Sequence, residues 1–107
     1  MLFDINYLRE NTGGDAELEH ELLTRLTQTI TRCLSTLEGA DNTEWKASLH
    51  EMRGAALAMG ANHLGELCGE SEHQPLHNKD TKKQVIQALH KTAEATLQEM
   101  QRLLSAQ

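Results

Sequence analysis

The chain has 107 residues, a formal charge of −6 and 3% aromatic residues, with single copies of Phe, Tyr and Trp. That length holds one domain, 1–107, with a modest core of Leu, Ile, Met and Ala, and the near absence of β-branched runs points to helices. An acidic chain without a basic stripe speaks against nucleic acid and against an anionic membrane surface as partners. With neither a signal-peptide pattern nor an apolar run of transmembrane length, a soluble cytoplasmic protein is expected.

Asp4 is placed to cap a short helix from Ile5 to about Asn11, which Gly13-Gly14 ends. Asp15 can cap the next. Leu18, Leu22, Leu26, Ile30, Cys33, Leu34 and Leu37 then recur at helical spacing, so one buried stripe is predicted from about residue 16 to 38, with Gly39 as the stop. Asn42 or Thr43 is the expected cap of a third helix with the inward stripe Trp45, Leu49, Met52, Ala56 and Met59, and Gly60 punctuates or kinks it.

A further helix from about Asn62 to Glu72 buries Leu64, Leu67 and Cys68. His73 to Lys79 holds the single proline, Pro75, and reads as the longest loop. Asp80 is the expected cap of a last helix with the stripe Val85, Ile86, Leu89, Ala93, Leu97, Met100 and Leu104. Cys33 and Cys68 lie on apolar faces without a metal-type spacing and read as small buried hydrophobes. The expected fold is all-α: an antiparallel up-down-up-down four-helix bundle, with the short first helix as a cap, and monomeric.

The most informative stretch is His50 to Ala61. It places a glycine in a helix interior one turn after a histidine, and an interior Gly costs about 1 kcal/mol relative to Ala. Access is the simplest gain, because a bulky partner can reach the His50 imidazole if position 54 carries no side chain. His50 follows Leu49 by about 100° around the helix and so points out of the core. Lys46, Ala47, Arg53, Gly54 and Leu57 share its face.

This segment resembles the histidine-containing phosphotransfer (HPt) domain of bacterial two-component phosphorelays. That pattern has a histidine, an apolar residue two on, Lys or Arg three on, Gly four on, small residues next, Gly ten on and Leu fourteen on. Here those places hold His50, Met52, Arg53, Gly54, Ala55, Ala56, Gly60 and Leu64. Leu64-Gly65-Glu66-Leu67-Cys68 and the opening, Phe3-Asp4 through Leu8 to Gly13-Gly14-Asp15, are similar to the family as well.

The resemblance implies that His50 accepts a phosphoryl group from a receiver-domain aspartyl phosphate and returns it to another receiver. The receiver supplies Mg²⁺ and the acidic pocket, a hybrid sensor histidine kinase stands upstream, and this chain binds no cofactor or metal. A neutral imidazole is a competent nucleophile near pH 7. Arg53, with Lys46, would offset charge on the moving group, and Leu57 would contact the partner. Nε2, which projects furthest from the helix, is the expected attachment atom. Ala55 and Ala58 depart from the polar residues that many relatives carry there, removing a hydroxyl near the histidine but leaving the nucleophile.

Other readings exist. Glu17-x-x-His20 and Glu70-x-x-His73 have the i, i+3 spacing of di-iron bundles, but both pairs lie off the apolar stripes. An HPt-like docking module that accepts no phosphate is another. No ATP-binding segment is visible in 107 residues, so a phosphocarrier is expected here and not a kinase.

Overall fold

The computed structural model describes residues 2–74 and 78–106. They form five helices: α1 Ile5–Thr12, α2 Ala16–Leu37, α3 Asn42–Ala58, α4 Asn62–His73 and α5 Lys79–Ser105. The expected all-helical class is what the chain adopts. Pro75, at the centre of the expected loop, lies outside the described residues.

Local chemistry starts most of these helices. The Asp4 carboxylate accepts from the Tyr7 amide and that of Asp15 from the Leu18 amide, each satisfying a donor that the helix cannot pair internally. Gly13 ends α1 in the left-handed region, at φ +67°. Two caps fall elsewhere than the sequence suggests. Asp41, not Asn42 or Thr43, caps α3, because Glu44 three residues on reaches back to the Asp41 amide and completes a reciprocal capping box. Asn78, not Asp80, caps α5: its side-chain oxygen accepts from the Thr81 amide and hydroxyl, leaving Asp80 in the first turn to face the positive helix end.

The apolar stripes meet in one core. Trp45, Leu49, Met52, Ala56 and Met59 of the α3 segment are all buried, as are Leu26, Ile30, Cys33, Leu34 and Leu37 from α2. Leu64 and Cys68 join from α4, and Val85, Ile86, Leu89, Ala93, Met100 and Leu104 from α5. Burial pushes the Cys68 thiol up to about 12 and raises that of Cys33, so both behave as apolar side chains.

The first turn of α2 corrects the expected stripe. Leu18 is 37% exposed, while Glu19 is 1% exposed and accepts a 2.7 Å hydrogen bond from the Thr12 hydroxyl of α1. That bond makes the buried carboxylate tolerable where α1 folds back on α2.

Each of α2, α3 and α4 packs against the next, and α5 closes back on α2. Gly65 of α4 meets Leu57 of α3, Gly69 meets Arg53, and the Trp45 indole donates to the Ser71 carbonyl at 3.2 Å. These pairs run in opposite order along the two helices, so α3 and α4 are antiparallel. Gly60 makes the turn between them at φ +82°. Its carbonyl accepts from the Asp4 amide at 2.9 Å, which ties the N-terminal segment to the α3–α4 corner. Lys82 of α5 donates to the Ala40 carbonyl and lies 5.5 Å from the Trp45 ring centre, fastening α5 to the α2–α3 connection. No helix among the described residues is long and apolar enough to cross a membrane.

Candidate functional site

The outer face of α3 is set by what its inner face buries. With Trp45, Leu49, Met52 and Ala56 in the core, the residues a third of a turn away must face outward. Lys46, Ala47, His50, Arg53 and Gly54 are all exposed, and the His50 side chain retains 72% of its accessible surface. Gly60 and Leu64 are buried and belong to the framework. Gly60 is required at its turn for two reasons. Its φ is positive, and a Cβ there would stand 2.7 Å from the Asp4 carbonyl oxygen.

Gly54 is the opposite case. A Cβ at position 54 would meet no atom within 4 Å beyond its own stretch of α3 backbone. Close helix packing therefore does not explain this glycine. The tight seam between α3 and α4 is at Gly65, where a Cβ would lie 2.5 Å from Leu57 Cδ2. Leu57 is accordingly half-buried, with its side chain filling the notch that Gly65 leaves. It offers a partner less surface than its position on the helical wheel suggests.

The charged groups around His50 are sorted by helix. Glu51 turns to α2, where Arg32 grips it through both guanidinium nitrogens, one contact being 3.1 Å from Nη1 to Oε1. That hydrogen bond holds the Glu51 carboxyl below its usual range, against the opposing effect of burial and with help from Arg32's charge. Arg53 lies against α4, with its Nε 3.2 Å from where a Gly69 Cβ would sit. Its chain borders an open groove of about 470 Å³ shared with Leu57, Gly65, Glu66, Gly69, Glu70 and His73. Lys46 and Arg53 make no ion pair among the described residues, so both charges remain available to an incoming anion.

His50 does have a neighbour that the sequence did not reveal. Glu72 Oε1, on the last turn of α4, lies 3.6 Å from His50 Nδ1, and the Glu72 side chain is only 16% exposed. Nothing in the spacing of one helix signals a contact made by another.

The arrangement gives a solvent-facing imidazole with a cleared approach, two unpaired cations along its helix and a carboxylate behind one ring nitrogen. Glu17, His20, Glu70 and His73 are all exposed at the surface and do not point into the core. Among the described residues no three His, Cys, Asp or Glu side chains converge on a common point. No protein-family model matches the chain, and neither a curated protein nor a solved structure matches it.

Proposed function

We propose that this chain is a phosphocarrier, in which His50 takes a phosphoryl group from the aspartyl phosphate of a receiver domain and passes it to another receiver. The observation that carries the reading is the exposed His50 one turn before Gly54, a helix-interior glycine whose missing side chain opens onto empty space. A surface that gives up about 1 kcal/mol of helix propensity and gains no packing is best accounted for by something that docks there.

Phosphoryl transfer depends mainly on positioning and charge stabilisation. The chain supplies a nucleophile, clearance, and the cations of Lys46 and Arg53. The donor is already activated, so no general base or ATP site is needed on this chain. The receiver brings Mg²⁺ and its own acidic pocket, and a hybrid sensor histidine kinase would load the relay. The local positive charge in a chain of −6 favours orientation and encounter with an acidic pocket more than affinity.

The test is phosphotransfer from a panel of phosphorylated receiver domains with Mg²⁺, with His50→Gln in parallel. Acid-labile, base-stable label is expected on the parent and absent from the variant, whose helix content is unchanged. Equal labelling of the two proteins would remove His50 from the mechanism. No label from any donor would leave a docking module in its place.

A further inference from the structure

The seam between α2 and α5 lies across the bundle from the α3–α4 seam that carries His50. Where α5 begins beside the α2–α3 connection, this seam opens into a groove of about 600 Å³, within the size range of small-molecule sites. Buried Ala40 and Ile86 give it an apolar floor. Its walls carry Lys79, Lys82 and Lys83, three of the ten Lys and Arg in a chain of charge −6, against the single carboxylate of Glu38. Asp80, in the same first turn of α5, is not part of the lining.

The lysines are unfavourably placed for the helix that holds them. Lys79 stands three and four residues before Lys82 and Lys83, so like charges are neighbours on one helical face, which destabilises a helix. They also gather at the end of α5 that the backbone already makes positive. None of the three makes an ion pair among the described residues. Lys79 and Lys83 are exposed, whereas Lys82 is half-buried and held in place by the Ala40 carbonyl and the Trp45 ring, whose centre is 5.5 Å away. The fold thus fixes one ammonium group at the groove and flanks it with two more, with too little negative charge to balance them.

We propose that this groove binds a small molecule carrying a chain of linked phosphate groups, with Lys79, Lys82 and Lys83 on the phosphate oxygens. The choice of cation separates phosphate from carboxylate. An ammonium group is a compact point charge that meets phosphate oxygens from many directions, while planar carboxylates are matched best by the guanidinium fork, and no Arg lines the groove. Two sources carry this chemistry. A nucleoside polyphosphate would rest its organic part on Ala40 and Ile86, and inorganic polyphosphate would leave that floor uncovered.

The test titrates the intact protein with ATP and with tripolyphosphate, both without Mg²⁺, by calorimetry at fixed ionic strength, with ¹H–¹⁵N NMR to locate the site. Saturable binding is expected, with shifts centred on Gly39, Ala40 and the first turns of α5. Lys79→Gln/Lys83→Gln should weaken binding by about tenfold, the combined effect of two exposed charge contacts. Neither side chain makes a hydrogen bond or ion pair among the described residues, so this variant keeps the fold, and Lys82 is left in place because it fastens α5. Arg25→Gln/Arg102→Gln makes the same change in net charge away from the groove and should alter affinity by less than about twofold.

Tighter binding of ATP than of tripolyphosphate supports the nucleoside source, and equal or weaker binding of ATP supports the inorganic one. No saturable binding of either ligand overturns the proposal. So does equal weakening by the two double variants, or a set of shifts centred on α3 around His50. None of these measurements uses phosphotransfer, so their outcome is separate from that of the phosphocarrier reading.

Discussion

Gly54 and Gly65 are both glycines inside helices, both at the α3–α4 side of the bundle, and they are there for opposite reasons. At Gly65 a methyl group would run into Leu57, so the missing side chain lets α3 and α4 approach each other. At Gly54 a methyl group would touch nothing, so the missing side chain serves no packing within the molecule. The first absence is filled by this chain. The second is unfilled. A glycine whose space is used internally reports on the fold, and one whose space is left open directs attention to what lies outside.

The contrast is checked first where glycine is structurally most needed. Gly60→Ala should cost about 2–4 kcal/mol, combining a positive φ that L-residues resist with a backbone collision that must be relieved. The collision is with the Asp4 carbonyl oxygen at 2.7 Å, and the Asp4 amide bond to the Gly60 carbonyl is strained with it. Denaturant melting should show the lowered midpoint. Stability equal to the parent's would mean that the corner does not depend on the glycine.

Gly65→Ala comes next, with a net loss of about 1 kcal/mol. Overpacking against Leu57 costs about 1–3 kcal/mol, and the helix recovers up to about 1 kcal/mol of propensity. The mechanism predicts coupling. Leu57→Ala alone loses packing, but in the double variant the shortened side chain at position 57 makes room for the methyl group added at position 65. The two single losses should therefore sum to more than the double variant shows. Simple additivity would mean that Leu57 and Gly65 do not share the seam.

Much of this fold is legible in the sequence, and the reasons are local. Apolar residues at helical spacing place α2, α3 and α5, and every residue of the expected stripe from Trp45 to Met59 is buried. The outward face of α3 follows from that same stripe. What fails depends on reach or on register between helices. Asp41 is the α3 cap because Glu44 can turn back to it, and Asn78 caps α5 because Thr81 lies one turn on. Leu18 is left outside because α1, folding back, gives Glu19 a partner in Thr12.

The site divides in the same way. His50, Lys46, Arg53 and Gly54 could be placed from α3 alone. The Glu72 approach and the partial burial of Leu57 against α4 could not, since no periodicity in one helix states which residue of the next will stand opposite.

Gly54 gives the smallest effect on stability and the sharpest test of the comparison. Replacing it with Ala adds a methyl group that meets no atom and removes the conformational freedom of glycine from the unfolded chain, so Gly54→Ala should stabilise the bundle by up to about 1 kcal/mol. Gly54→Gln should keep most of that gain, since Gln is also a good helix former, yet its longer chain covers the approach to His50. Stability and transfer should therefore separate. Melting midpoints of both variants stay at or above the parent's, while phosphate uptake falls little with Ala and is blocked with Gln. A Gln variant that melts low would show that the open surface matters to the fold after all. One that stays folded and accepts phosphate at the parent's rate would show that the cleared surface at position 54 is not the route by which a partner reaches His50.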